Sequence, residues 1–558
     1  MSYPSYAVLA LLPAVVWLLY LQISQWRFKR FGHIPSKLPS SFLFGHLGHI
    51  AAEYKNMSST VHPDYVFENI WKAQGSPEYM FFDTRPVQLP LILIASHAMA
   101  EQVSRASKTQ QYSVTKSPTV QGGMGDLIGR YSLISENGES WRGLRKTFNP
   151  GFAPQHLLSL LPVMVDKTQT FMKKLDALAT SGAAAEMDGY CTDVTFDIIG
   201  GLVTNIDCKA QGDSEHVHPI VRNFRTLKHV YTGDNGLMAS WLNPVMRAKK
   251  YIYSRRLDSA VKACVVEKFA DIKAARHSVT KEKKDRSVLA LALEGTDELT
   301  PYTLQSTADQ VKSFLFAGHD TTSILLQRLF YALSIHPDCL AKIRAEHDAV
   351  FGDAEPHDVF LKRPDETMKA LKYTSACIKE ALRLWPPAAS ARMSHNNFKL
   401  RTSDGEDVLI DNCVIYICHH LIQRDPKVYG ETANEFVPER WVGDSDTSSA
   451  STEVDGSTTG ESKIPISAWR AFERGPRNCI GQELANMEAR VILACVMRRY
   501  DFVKVGLGEV ETDEAGQPIM DQMGKYKTKS ELINTMSITS RPIDKTVMRI
   551  KFRDSGKE

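Results

Sequence analysis

Apolar residues are spread unevenly along the chain, and each change of pattern marks a different element. Tyr6 to Ile23 is an almost unbroken apolar run, interrupted by Pro13 and Gln22. At helical rise such a run is near the minimum that crosses a bilayer. Arg27, Lys29 and Arg30 follow at once, and the positive-inside rule puts that flank, with everything after it, in the cytosol. A cleaved signal peptide would want basic residues before the run and small ones at its end. Residues 1–5 carry no basic side chain, and Trp17 and Tyr20 do not suit a cleavage site. The pattern predicts an uncleaved single-pass anchor over residues 1–26. Pro35, Pro39 and Phe42-Leu43-Phe44-Gly45 then read as a stiff connector over residues 27–50.

Short β-like runs such as Val87–Ala95 come next, and from about Trp141 to Arg344 apolar residues recur at helical spacing. Thr300-Pro301 supplies an N-cap followed by proline at the first helical position. A long helix is therefore predicted through Phe314–Thr322 to about Ile335, ended by His336-Pro337. The charged run Lys281–Arg286 reads as a solvated loop or helix end, and the polar stretch Asp444–Ser462 as a surface insertion. No repeat or second core is visible, so residues 51–558 are expected to form one mainly α domain with small β-sheets (α+β).

Composition narrows the classes. Of 558 residues, 43% are hydrophobic and 23% charged, which excludes a disordered, collagen-like or polytopic membrane chain. Lys and Arg number 67 against 64 Asp and Glu, a formal net charge of +3. Such a balance gives no global attraction to nucleic acid. Nine scattered cysteines without a C-x-x-C pair disfavour a zinc ribbon or a disulfide framework. Cys413, Cys418, His419 and His420 flank a Val-Ile-Tyr-Ile run that reads as a buried strand rather than a metal site.

One cysteine stands apart. Phe472-Glu473-Arg474-Gly475-Pro476-Arg477-Asn478-Cys479-Ile480-Gly481 sets Cys479 in a turn, immediately before a helical run from Gln482 to Arg490. A cysteine at a helix N-terminus, close after Arg474 and Arg477, favours the thiolate, the form that binds metal. The spacing F-x-x-G-x-R-x-C-x-G resembles the haem-binding loop of the cytochrome P450 family at every fixed position. That resemblance implies haem b with Cys479 as axial thiolate to the iron, Arg477 at a haem propionate and Phe472 beside the sulfur.

Further motifs resemble the family in its own order. Glu380-Ala381-Leu382-Arg383 matches its E-x-x-R helix; by spacing alone the pair is a commonplace helix-face salt bridge. Phe436–Trp441 is similar to its F-x-P-E-R segment, which implies that Arg440 joins Glu380 and Arg383 in a buried, structural network. Ala317-Gly318-His319-Asp320-Thr321-Thr322 on the long helix would by itself be ordinary helix, with glycine there for packing. Within the family pattern it implies room for dioxygen at Gly318 and a proton relay through Asp320 and Thr321. Trp141 and Arg145 match the W-x-x-x-R helix that serves a propionate, and Arg392 is a further propionate candidate. The resemblance implies a P450-like fold, with the long central helix over the haem. Substrate contacts would come from Met124 in a mobile, glycine-rich Ser117–Gly129 loop, from Phe316 and Ala317, from Ala388 and from Ser537.

The expected activity is monooxygenation of a lipophilic small molecule with dioxygen. No G-x-G-x-x-G fingerprint is present, and the stretch after Cys479 is too short for a fused flavoprotein. Electrons would therefore come from NADPH through a separate flavoprotein reductase, docking near Arg142, Arg145, Lys146 and Arg474. The expected location is the endoplasmic reticulum membrane. Phe436–Trp441 and Gly475–Glu483 resemble fungal membrane-bound members, many of which serve secondary-metabolite pathways. Fatty-acid, alkane or xenobiotic hydroxylation, a haem-thiolate isomerase or dehydratase, and a haem sensor are the alternatives; the last two do not need the Asp320-Thr321 pair.

Overall fold

Proline and aliphatic residues fix the first sheet. Pro90 cannot donate to a ladder, so of the expected run Val87–Ala95 only Leu91–Ile94 pairs as a strand, and Val87 turns back on Thr84. The computed structural model describes residues 3–58, 60–107, 110–232, 243–277, 285–442 and 464–554. The insertion expected at Asp444–Ser462 lies outside the described residues, as do positions 281–284 of the charged run. Within the span expected as one domain, chain contacts define two compact units.

The first unit comprises Met1–Ser117, Ala389–Ile422 and Arg474–Arg477. Its main sheet has the order β1 (Tyr79–Phe82), β2 (Leu91–Ile94), β8 (Val414–Ile417), β5 (Ser390–Met393), β3 (Thr115–Lys116). β2 and β8 run parallel and the other pairs antiparallel. A separate hairpin joins β6 (Lys399–Arg401) to β7 (Asp407–Leu409). Ile92, Ile94, Ile415 and Ile417 form a core that also takes in Phe31 and Ile34. The expected connector is thus packed into the unit. Buried Arg27 locks it there, 2.7 Å from Asp83 and donating to the Phe42 carbonyl at 3.1 Å.

The apolar N-terminal run is helical over Tyr3–Ser24. Among the described residues, however, no helix is long and apolar enough to cross a membrane, so the membrane-spanning helix expected from the sequence is not found. Arg27, expected in its exposed basic flank, belongs to the globule instead.

The second unit comprises Pro118–Ala388, Gln423–Glu473 and Asn478–Glu558. It carries a sheet of β4 (Ala184–Glu186), β12 (Val547–Phe552) and β9 (Tyr500–Lys504), and a hairpin of β10 (Asn534–Met536) and β11 (Ser540–Pro542). The central helix spans Pro301–Ile335, and the Thr300 hydroxyl caps it by accepting from Thr303 N at 3.1 Å. The glycine-rich segment expected as a mobile loop is instead a helix, Pro118–Ile128. Proline opens it, Leu127 and Ile128 are buried, and Gly129 closes it in the left-handed region; this anchoring outweighs the low helix propensity of its glycines.

The helix Lys372–Leu384 holds a fully buried carboxylate. Glu380 Oε1 accepts from Arg383 Nη2 at 2.8 Å, Val437 N at 3.0 Å and Arg440 Nε at 3.0 Å. Oε2 accepts from Arg383 Nε at 2.9 Å and Trp441 Nε1 at 2.8 Å. Arg383 spends its remaining donors on the carbonyls of Gln423, Ala433 and Glu435. Every charge is met, the condition under which a buried ion network survives its desolvation cost. Arg383→Ala leaves Glu380 short of its main cation and is expected to cost about 3–5 kcal/mol in denaturant unfolding. Arg440→Ala should cost clearly less, because Val437 and Trp441 still donate.

Candidate functional site

The loop before the helix Gln482–Val496 is built to hold one sulfur in a fixed place. Glu473 adopts φ 55°, and Gly475 φ 73°, where an added Cβ would overlap the Ser104 carbonyl. Arg470 holds Glu473 by an ion pair and by its carbonyl, which accepts from Glu473 N at 2.8 Å. Cys479 N then donates back to the Phe472 carbonyl at 2.8 Å. Phe472 stands edge-on to Trp469, with ring centroids 5.9 Å apart. All nine cysteines are free thiols; eight are buried and Cys479 is exposed.

Trp141 is buried on the helix Gly138–Phe148, and Arg145 one turn later reaches the cysteine loop. Its Nη1 donates to the Asn478 carbonyl at 2.7 Å and its Nη2 to Asn478 Oδ1 at 2.9 Å. In the first unit, Arg477 is buried, and fully buried Arg392 donates to Ser390 Oγ at 3.0 Å and the Val114 carbonyl at 3.2 Å. Of the residues expected to face a reductase, Arg142 and Lys146 are exposed, whereas Arg474 is paired with Glu101 at 3.0 Å.

The central helix has a single gap in its burial. Between Ser306 and Leu333 every residue is buried except Ala317, Gly318 and Thr321. The Thr321 hydroxyl donates to the Ala317 carbonyl at 2.7 Å, so the small residue and the hydroxyl share one open spot. Gly318 also has a packing role. A Cβ there would come 2.5 Å from an Ile199 side-chain carbon on the helix Met187–Thr204, so the glycine allows the two helices to pack. Thr195 Oγ1 ties the same helices, donating to the His319 carbonyl at 2.9 Å. The His319 ring is enclosed by Phe196, Phe224 and Phe316. Burial lowers its pKa to about 4 against the pull of Asp320, so the ring is neutral at pH 7.

Asp320 sits in a cluster that the sequence does not announce. Lys228, on the helix Pro219–Thr232, lies 2.6 Å from its Oδ1, Arg541 binds the same oxygen, and Thr539 donates to Oδ2. Arg541 also reaches Asp188 at 3.1 Å. Burial disfavours the Asp320 charge, but Lys228 and Arg541 outweigh it and hold the carboxyl well below the usual range. Lys228 and Arg541 are far from Asp320 in sequence, and no local spacing marks them.

The expected substrate residues come from elements of the second unit. Phe316 is buried and Ala317 half-buried on the central helix, and Met124 is half-buried on Pro118–Ile128. Ser540 N donates to the Pro387 carbonyl at 2.9 Å, which ties the β10–β11 hairpin to the segment carrying exposed Ala388. At the tip of that hairpin the Ser537 hydroxyl is enclosed and has no hydrogen-bond partner.

Within the second unit, an accessible sulfur at a helix N-terminus and a small-residue opening in a buried helix fit a haem. The Cytochrome P450 family model matches residues 56–529. The chain belongs to the cytochrome P450 family and is a monooxygenase; the family implies a haem iron with thiolate ligation. It is 30% identical over 456 residues to cytochrome P450 monooxygenase acrF of Aspergillus aculeatus, covering 79% of this chain and 88% of that protein. It is 28% identical over 490 residues to cytochrome P450 monooxygenase polC of Polytolypa hystricis, covering 83% and 80%. Human cytochrome P450 4V2 is 28% identical over 392 residues, covering 66% and 67%.

The Gly318 contact has a direct test. Gly318→Ala overpacks the contact with Ile199 and is expected to cost about 1–3 kcal/mol in thermal unfolding. Combined with Ile199→Val, the double variant's cost should fall short of the sum of the two single costs by about 1 kcal/mol. Strict additivity would show that the glycine does not serve this contact.

Proposed function

We propose that the protein oxidises a lipophilic small molecule, with Cys479 as the axial thiolate of its haem, in a fungal secondary-metabolite pathway. The observation that carries the site is Cys479 itself, the one exposed thiol among nine, rigidly held at a helix N-terminus. Bound haem supplies the iron at which dioxygen is activated. Arg392, Arg477 and Trp141 would hold its carboxylates, with Arg145 beside the cysteine loop. Ala317 leaves space, and Thr321 offers a hydroxyl there for proton delivery. Asp320, held well below the usual carboxylate range by Lys228 and Arg541, keeps a negative charge on the residue next to Thr321. Phe316, Ala317, Met124, Ala388 and Ser537 would shape the substrate site.

Electrons would come from NADPH through a separate flavoprotein reductase, which exposed Arg142 and Lys146 could help to seat. The apolar N-terminal helix would hold the chain at the endoplasmic reticulum membrane with the catalytic part cytosolic. Val15, Val16, Trp17, Leu18, Leu19 and Tyr20 are all exposed, an apolar face that favours lipid.

The first test is the absorption spectrum of the purified, reduced protein under carbon monoxide. A strongly red-shifted Soret band is expected for the wild type and should be lost in Cys479→Ala. A band at the histidine-ligated position in folded wild type would exclude Cys479 as ligand. With a reductase and a turnover substrate, Thr321→Ala should still consume NADPH, but product per NADPH should fall about tenfold, with hydrogen peroxide making up the balance. Unchanged coupling would remove Thr321 from the relay.

A further inference from the structure

Asn478 fills a position that the cysteine motif leaves open, yet two hydrogen bonds fix it. Both outer nitrogens of Arg145 are spent on this one residue, one on its carbonyl at 2.7 Å and one on its side-chain oxygen at 2.9 Å. A planar guanidinium fork serves two acceptors at once, which a lysine ammonium cannot reproduce. The helix that carries the fork is itself anchored, because Trp141, one turn earlier, is buried.

At the other end of the same peptide, Cys479 N donates to the Phe472 carbonyl at 2.8 Å. The peptide group between Asn478 and Cys479 is therefore gripped at both ends: Arg145 takes its carbonyl oxygen and Phe472 its N–H. Arg145 is thereby fixed on the residue immediately before the cysteine. Hydrogen bonds and a fixed backbone around a ligating thiolate set how much electron density it gives to iron.

We propose that Arg145 and Asn478 form one positioning clamp that fixes the Cys479 sulfur and restrains its electron donation to the haem iron. The proposal rests on Cys479 being the ligand. An Arg145 that served a haem propionate alone would leave the Asn478 side chain dispensable.

The test uses the full-length haem-loaded protein in three forms: wild type, Asn478→Ala and Arg145→Lys. Asn478→Ala keeps the backbone acceptor and removes the side-chain one; Arg145→Lys keeps the charge and loses the fork. Three quantities are read: haem per protein, the reduced carbon monoxide spectrum, and the ferric–ferrous equilibrium against a reference dye. Asn478→Ala is expected to keep wild-type haem content. Its ferric–ferrous equilibrium should move about threefold toward ferric, and its carbon monoxide band should move further from the histidine-ligated position, as for a thiolate that donates more. Arg145→Lys should move both readouts in the same direction. Wild-type spectra and equilibrium in both variants would overturn the clamp. So would a change confined to the haem content of Arg145→Lys, which would assign Arg145 to a propionate. Absence of the red-shifted band in the wild type would instead overturn the assignment of Cys479, and the clamp with it.

Discussion

The structure depends on keeping one sulfur accessible at a fixed place while everything that fixes it is packed. A buried thiol is inert, as the other eight cysteines are. A mobile one cannot hold a metal in register. The chain meets both demands with a short loop whose backbone is pinned at each step. Glycine stands where no Cβ fits at Gly475, an ion pair holds Glu473 at positive φ, and hydrogen bonds hold both ends of the peptide that precedes the cysteine. The helix Gln482–Val496 that follows adds the favourable end of its dipole.

How far this was legible in the sequence depended on sequence distance. Thr300-Pro301 and His336-Pro337 bounded the central helix correctly, because caps and prolines act within a turn of themselves. The cysteine loop was equally local. Glu380 and Arg383 were visible as a pair, but Trp441 as a donor to Glu380 was not, since a tryptophan after an arginine carries no spacing signal. Asp320 is the clearest case. Its identity was legible, but its ionisation state depends on Lys228 and Arg541, which approach from other elements. The glycine-rich segment failed in the opposite sense: local propensity spoke for a loop, and buried Leu127 and Ile128 at one end of the segment outweighed it. Similarly, the prolines after residue 34 read as a stiff connector outside the globule, while Phe31 and Ile34 have apolar partners far along the chain.

The central helix shows why sequence motifs mix function with packing. Within one turn, Gly318 admits Ile199, His319 fills an aromatic enclosure, Asp320 neutralises two cations, and Thr321 lies at the opening. Neighbouring residues of a helix point to different faces, so four consecutive positions meet four different environments. Between Ser306 and Leu333 only Ala317, Gly318 and Thr321 are not buried. A motif spanning all four positions therefore records packing as well as exposure, because Gly318, His319 and Asp320 anchor the helix at the very turn that carries Thr321. A similar division holds in the cysteine loop, where Cys479 is exposed while Arg477 is buried and Glu473 and Asn478 are bound to the fold. In both places the surrounding contacts determine where the uncovered group stands.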